Sequence, residues 1–242
     1  MTHPLFLEDA YVRDAQGTVI AHTPEGGVVL DASIFYATGG GQPGDSGALS
    51  WNGQTLPIAT CVKIKDSKSA DTALVPAEPA PLPALGTVVT QSLDWERRHS
   101  LMRVHTALHL LSVIIPLPVT GGSISMGKGR LDFDMPEAPD DKEALERSLN
   151  ALIELDYVVS EDWITDEELR ANPQLVKTMS VQPPMGAGRI RLVRIGDDQR
   201  QIDLQPCGGT HVARTSEIGR VRFGKIEKKG KQNRRVTLHL DN

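Results

Sequence analysis

The first ninety residues alternate short apolar runs with turn signals, a pattern typical of β-strands. Runs rich in β-branched residues cover 28–30, 58–64 and 87–93, and Asn52-Gly53 is a strong hairpin-turn signal. Strands this short and this closely spaced predict a small barrel or sandwich. Prolines at 76, 79, 81 and 83 then favour an extended loop, which we place just before a domain boundary.

The rest of the chain mixes helical and strand patterns. Asp94 is suited to cap a helix whose apolar positions run from Trp95 through Leu111 and which ends at Pro116. Later elements are a helix at 142–155 and strands at 189–195, 220–226 and 235–240, the last two joined across 229–231. We therefore predict an α+β fold, with a small β-barrel-like domain at 1–93 and an α+β domain at 94–242.

Composition narrows the class of protein. With 242 residues, 39% of them hydrophobic and 24% charged, the chain can bury one large or two small cores. No apolar run reaches the ~20 residues of a membrane helix, and residues 1–5 lack the features of a secretory signal. Two cysteines, Cys61 and Cys207, are too few for a disulfide framework. We therefore expect a cytoplasmic protein with no membrane partner.

Charge is distributed unevenly along the chain. The net charge is −5, yet segment 214–235 carries nine basic and two acidic residues, and segment 137–168 carries twelve acidic and two basic residues. A basic stripe of this kind can bind a nucleic acid while the acidic segment faces water. A charged run is usually a solvated surface, so charge alone does not assign a partner.

Two pairs of metal-binding side chains stand far apart in the sequence. His105 and His109 are four residues apart, hence one turn apart on one face of the predicted helix. Cys207 and His211 flank two glycines that let the backbone turn both side chains toward one point. Each pair alone is a weak signal, but both arising by chance in one chain is improbable. Three imidazoles and a thiolate form a ligand set that zinc prefers.

The same pattern excludes several enzyme classes. Zinc proteases of the H-E-x-x-H type carry glutamate directly after the first histidine, where this chain has Thr106. Zinc nucleobase deaminases need an H-x-E motif with P-C-x-x-C, which is missing here. A serine hydrolase would need a G-x-S-x-G turn, which the chain also lacks.

Four motifs resemble one known family. They are His-Thr-Ala-Leu-His-Leu-Leu at 105–111, Cys-Gly-Gly-Thr-His-Val at 207–212, the basic segment 224–236 and the glycine-rich element 35–45. Together they are similar to the editing domain of alanyl-tRNA synthetase and to its free-standing AlaX-type relatives, which deacylate mischarged tRNA. The resemblance implies a small β-barrel domain followed by an α+β editing core that contains zinc. The chain shows no P-loop and no aminoacylation domain, so we do not expect a synthetase.

The family resemblance also implies an activity. We expect hydrolysis of the ester that joins serine or glycine to the terminal adenosine of tRNA(Ala), with tRNA as partner and no obligate protein partner. The zinc ligands would be His105, His109, Cys207 and His211, and the predicted catalytic residues are Thr106 and Gln42. The predicted substrate-binding residues are Gly40, Gly41, Ser123, Ser125, Gly208 and Gly209. The predicted tRNA-binding residues are Arg220, Lys225, Lys228, Lys231, Arg234 and Arg235.

Three alternatives stay open. The glycine-rich element equally fits a simple hairpin turn. Four protein ligands close a tetrahedral zinc shell, so the metal could be structural in a tRNA-binding module without activity. An editing domain of the threonyl type shares both ligand pairs, although the Gln42 element and the Cys207 motif argue against it.

Overall fold

The computed structural model describes residues 1–64, 71–139, 141–179 and 188–241, in which strands dominate and helices are few. The strands are β1 His3–Pro4, β2 Asp14–His22, β3 Val28–Leu30, β4 Ala32–Ser33, β5 Gly47–Trp51, β6 Gln54–Lys63, β7 Thr72–Pro76, β8 Val88–Leu93, β9 Val119–Ser125, β10 Lys128–Asp134, β11 Val158–Ile164, β12 Ile190–Gly196, β13 Gln201–Pro206, β14 Val221–Phe223, β15 Glu227–Lys228 and β16 Asn233–Leu240. The helices are α1 Trp95–Ile114, α2 Lys142–Glu154 and α3 Asp166–Ala171, with short 3₁₀ turns at Leu5–Leu7, Pro173–Leu175 and Thr215–Ile218.

Two compact units divide the chain, one at Met1–His99 and one at Ser100–Asn242. The boundary predicted after residue 93 coincides with the end of β8, whereas the units divide within the first turns of α1. Among the described residues, no helix combines the length and the apolar character that crossing a bilayer requires.

The first unit is built around a closed barrel with the strand order β2-β3-β7-β6-β5-β8. The α+β class and the barrel predicted from the sequence are thereby confirmed. Its interior holds an apolar cluster that includes Leu30, Ile34 and Phe35, all at most 1% exposed. The Asn52-Gly53 turn joins β5 to β6 as predicted, and both residues adopt positive φ angles of 46° and 75°. A mirror-image turn of this kind matches the twist of the two strands.

A buried ion pair fixes the end of the glycine-rich element. Arg98, whose side chain is 0% exposed, donates through Nε to both carboxylate oxygens of Asp45 at 3.0 Å. The backbone N–H of Tyr36 donates to Asp45 Oδ2, and the Tyr36 hydroxyl donates to the carbonyl of Gly39. The element is therefore an ordered loop tied at both ends within this unit.

The second unit contains two antiparallel sheets. One has the order β14-β16-β10-β9, with β15 also paired to β16, and the other has the order β11-β12-β13. Gly129 of β10 lies so close to α1 that a Cβ atom there would stand 2.5 Å from Val104 Cγ1. The apolar face of α1 thus packs tightly on the first sheet.

The two predicted helices and most predicted strands are confirmed. Asp94 caps α1 through its side chain, which accepts from Arg97 N at 3.2 Å, and α1 ends at Ile114 before Pro116. The strand predicted over 220–226 is wrong in its length, because β14 ends at Phe223 and the next strand, β15, begins only at Glu227. Phe223 pairs with Leu238 but Glu227 pairs with Arg235, so four steps on one strand oppose three on the other. A bulge of this kind interrupts the ladder.

Candidate metal centre

The first half of the site is a helical face. His105 and His109 lie one turn apart on α1 and are 8% and 6% exposed. Their imidazole rings face each other edge-on, with centroids 5.3 Å apart. The four-residue spacing places both rings on the buried side of the helix, as the sequence predicts.

The second half is a loop that follows β13. Leu192 of β12 pairs with Pro206 of β13, and the backbone N–H of Cys207 continues this ladder by donating to the carbonyl of Arg191 at 3.2 Å. The chain then turns through Gly208 and Gly209 and brings His211 back toward α1. The ring centroids of His211 and His105 are 4.2 Å apart.

These two halves bring the four predicted metal ligands together. One donor atom from each of His105, His109, Cys207 and His211 lies within 4.8 Å of the other three. Cys207 Sγ is 3.5 Å from His105 Nε2 and 3.3 Å from His211 Nε2. Bonds of ~2.0–2.3 Å to a tetrahedral zinc ion require donors separated by about 3.3–3.8 Å, and both Cys207–histidine distances fall in this range.

Neighbouring groups fix the protonated nitrogen of two histidines. The hydroxyl of Thr106 donates its only proton to the carbonyl of Met102 at 3.0 Å, so it must accept from His211 Nδ1 at 3.1 Å. His109 Nδ1 lies 2.9 Å from Asp203 Oδ2 and donates to that carboxylate. Both rings therefore keep Nε2 free for a metal, which is how histidine ligands are usually oriented.

The electrostatics of the cluster are coupled. Burial alone would raise the pKa of Cys207, but the adjacent His105 and His211 hold that pKa well below its usual range. Burial, together with the charge of His105, lowers the pKa of His211 well below its usual range. Although burial opposes it, the hydrogen bond to Asp203 raises the pKa of His109 to about 9. The metal-free site therefore favours a thiolate and a neutral His211, the forms that bind metals, and a protonated His109, which must release its Nε2 proton when a metal binds.

Asp203 is itself held by three donors. Besides His109, its carboxylate accepts from Lys177 Nζ at 2.6 Å and from Gln205 Nε2 at 2.7 Å. Burial opposes ionisation, but His109 and Lys177 lower the pKa of Asp203 to about 2. The carboxylate is thus a fixed negative charge behind the His109 ring.

The other predicted site residues have varied environments. Thr106 is fully buried, and Val212 N also donates to its hydroxyl at 3.3 Å, so this side chain is committed to supporting the site. Ser125 donates to the carbonyl of Lys128 at the turn between β9 and β10, and Ser123 lies on β9 opposite Arg130. The catalytic role of Thr106 and the substrate contacts of these serines stay predictions.

In the first unit, Gln42 is 1% exposed and its backbone bridges to Gly39. Gly40 and Gly41 are exposed and adopt positive φ angles of 57° and 84°. This backbone favours glycine, as expected of an ordered turn. The predicted roles of these three residues toward a substrate stay predictions.

The predicted tRNA-binding residues fall into two groups. Three of them, Arg220, Arg234 and Arg235, contact protein groups, and the Arg235 guanidinium makes two bonds to Asp132 at 2.8 and 2.9 Å. The other three are exposed lysines on or near the β15–β16 hairpin, namely Lys225, Lys228 and Lys231. The exposed lysines are therefore better placed to meet a polyanion than Arg235.

Three supporting residues were not predicted as part of the site: Asp203, Lys177 and Arg191. Asp203 lies on β13, only four residues before Cys207, so a carboxylate partner for a histidine could have been sought there. Lys177 and Arg191 are 30 and 16 residues from Cys207 and carry no local signal. Only the pairing of β12 with β13 and the path of 176–179 bring them close.

Comparison with known proteins identifies two matching family models. Residues 190–237 match the threonyl and alanyl tRNA synthetase second additional domain, and residues 9–97 match the class II (A) tRNA synthetases. The first match includes Cys207 and His211, and the second covers the barrel.

Individual relatives fall into two groups. An alanine–tRNA ligase of Pyrobaculum calidifontis is 33% identical over 236 residues, covering 94% of this chain and 25% of the ligase. The alanyl-tRNA editing protein AlaX-M of Methanosarcina acetivorans is 30% identical over 247 residues, covering 99% of both chains. The AlaX-M protein of Methanosarcina mazei is 28% identical and covers 99% of this chain and 97% of its own length. The chain thus spans about a quarter of the ligases but nearly all of each editing protein.

Proposed function

The chain belongs to the AlaX-M family of alanyl-tRNA editing proteins, and from that premise we propose that it hydrolyses mischarged tRNA(Ala) at the zinc centre. The observation that carries this proposal is the convergence of His105, His109, Cys207 and His211 on one point. The family confirms the resemblance seen in the sequence, since its named members are alanyl-tRNA editing proteins.

Zinc bound by these four residues would supply a Lewis acid for ester hydrolysis. The protein's own contribution is orientation. Asp203 and Thr106 bind Nδ1 of the His109 and His211 rings, which leaves Nε2 of each ring to hold a metal, and burial excludes bulk water from the imidazoles. Since all four side chains reach the same point, displacement of one ligand would open the position that a substrate needs.

The proposed substrates are serine and glycine esters of tRNA(Ala). These residues are slightly larger and slightly smaller than alanine, and one methylene or hydroxyl in a pocket discriminates by only ~1–3 kcal/mol. Size alone therefore cannot remove both esters and spare alanine. A polar group that bonds the serine hydroxyl must add to the discrimination.

The basic stripe would bind the phosphates of the tRNA acceptor stem. Such contacts give affinity that depends on salt and carries little sequence information. The exposed lysines at 225, 228 and 231 support this assignment. A protein acting on charged tRNA would work in the cytoplasm.

The test is deacylation of serine-, glycine- and alanine-charged tRNA(Ala) by the purified protein, with and without a zinc chelator. We expect loss of the serine or glycine ester, retention of the alanine ester, and inhibition by the chelator that added zinc reverses. Equal rates for all three esters, or full activity after the metal is removed, would contradict the proposal.

A second candidate is a tRNA-binding module in which the metal is structural. The observation that favours it is the number of available protein ligands, because four close a tetrahedral shell. His109→Ala separates the two. In the editing enzyme it abolishes hydrolysis of the mischarged ester, whereas in the binding module it lowers the melting temperature of a protein that never hydrolysed the ester.

A further inference from the structure

A buried arginine forms hydrogen bonds with the loop that carries Cys207. Arg191 of β12 is 8% exposed, and its Nη1 donates to the carbonyl oxygens of Cys207 at 2.9 Å and Gly209 at 2.8 Å. Its Nη2 pairs with the carboxylate of Glu161 on β11. One side chain thus ties the neighbouring strand to both ends of the Cys-Gly-Gly turn.

The backbone of Arg191 holds the same loop from a second direction, since its carbonyl accepts from Cys207 N. The amide of Gly209 instead lies 3.4 Å from Cys207 Sγ. Two loop carbonyls therefore face the guanidinium while one loop amide faces the sulfur. The peptide groups on both sides of the Cys207 Cα are fixed, which fixes the direction of its side chain.

Packing does not restrain the middle of the turn. Gly208 is exposed, and a Cβ atom there would meet nothing within 4 Å. Two adjacent glycines leave the backbone more freedom than any other pair of residues. At this glycine pair, the hydrogen bonds from Arg191 help to keep the thiolate beside the histidines.

We propose that Arg191 is a positioning residue for the thiolate ligand and thereby sets how tightly the site holds its metal. This inference rests on the proposed metal centre. A lysine at this position would keep the charge beside Glu161, but its single nitrogen lacks the planar fork that reaches two carbonyls and a carboxylate together.

The test compares Arg191→Lys with Arg194→Lys, a matched control three residues along β12 and hence on the opposite face of the strand. Zinc affinity is measured by competition with a chromophoric chelator. The absorption of the Co²⁺-loaded protein reports the sulfur–metal bond. We expect Arg191→Lys to bind zinc about 10- to 100-fold more weakly and to lose intensity in the thiolate-to-cobalt band. The control should match the wild type.

A double-mutant cycle with Cys207→Ser separates positioning from general instability. If Arg191 acts through the thiolate, Arg191→Lys has little further effect on zinc affinity in the Cys207→Ser background. An equal fold loss in both backgrounds, or wild-type affinity and spectrum in Arg191→Lys alone, would overturn the inference. A wild-type protein without a thiolate band would refute the metal centre itself, and the inference with it.

Discussion

At the scale of single residues, the site depends on hydrogen bonds that set which nitrogen of each imidazole carries the proton. Thr106 provides the acceptor for His211 Nδ1 and is fully buried. Its hydroxyl also donates to the carbonyl of Met102 and accepts from the backbone N–H of Val212, so its orientation toward the His211 ring is fixed. A role in orienting the ligand accounts for all three contacts.

Replacing Thr106 with valine keeps the shape and removes the acceptor. We expect zinc affinity to fall by about tenfold, because the His211 ring loses the bond that holds its tautomer. Chelator competition measures the change. Thr120→Val is the control, since the Thr120 hydroxyl also bonds a carbonyl but belongs to β9 and contacts Asp132. Equal zinc affinity for the two variants would show that the Thr106 bond does not orient the ligand.

The four ligands could be predicted from the sequence because their spacing is local: one helical turn separates His105 from His109, and two glycines and a threonine separate Cys207 from His211. Two of the residues that support these ligands, Lys177 and Arg191, could not be predicted in this way. Lys177 is brought to the site by the path of segment 176–179, and Arg191 by the pairing of β12 with β13. Neither residue lies in a local sequence motif. Supporting contacts of this kind depend on tertiary structure, which local periodicity does not encode.

At the scale of elements, β10 and β16 are joined by an ion pair as well as by their ladder. Asp132 pairs directly opposite Arg235 and also accepts from Arg130 at 2.7 Å. Burial opposes ionisation, but the two guanidiniums lower the pKa of Asp132 below its usual value. A carboxyl with a lowered pKa stabilises the folded state above its unfolded pKa of ~3.9 and loses that effect as the pH falls.

Asp132→Asn should therefore lower the free energy of unfolding by about 1 kcal/mol at pH 7. The difference from wild type should shrink as the pH falls below about 4, because the unfolded carboxyl is protonated there and the native carboxyl follows at lower pH. Urea unfolding of the metal-free proteins at several pH values measures this difference in the free energy of unfolding. Asp134→Asn, two residues along the same strand, is the control. A difference that stays constant with pH would exclude the ion pair as its cause.

The contact between α1 and β10 makes a second prediction for the elements. Gly129→Ala places a methyl group 2.5 Å from Val104 Cγ1, so it should destabilise the protein by about 1–3 kcal/mol. Gly121→Ala on β9 is the control, because its Cβ would stand 3.5 Å from the nearest atom. Urea unfolding measures the stability of both variants. Equal stability would mean that α1 and β10 can move apart to accommodate the methyl group at little cost.

Elements with local signals were predicted well. The Asn52-Gly53 turn, the cap at Asp94 and the end of α1 before Pro116 all depend on neighbouring residues. The end of β14 at Phe223 and the start of β15 at Glu227 depend instead on the register with β16. A one-residue bulge leaves the apolar pattern of the segment almost unchanged, so the sequence predicted a continuous strand.

At the scale of the whole molecule, the uneven charge predicts how tRNA binding responds to salt. Lys228 and Lys231 are exposed, whereas the Arg235 guanidinium is held by Asp132. Replacing both lysines with alanine should weaken tRNA binding at low salt and reduce the slope of log affinity against log salt by about 2. Binding titrations at several salt concentrations measure this slope.

The matched control removes two positive charges from the acidic segment, through Lys142→Ala with Arg147→Ala. It should leave affinity and slope nearly unchanged. Equal losses in the two double variants would mean that tRNA responds to the net charge of the protein and that the basic stripe makes no specific contact.

The distance along the chain between the two ligand pairs has a consequence during synthesis. His109 and Cys207 are 98 residues apart, and His105 and His211 are 106 residues apart. A growing polypeptide displays its helical histidines long before it can close the site. Products of premature termination before residue 207 therefore lack half of the metal ligands, and the site is assembled only after the segment 207–211 has been made.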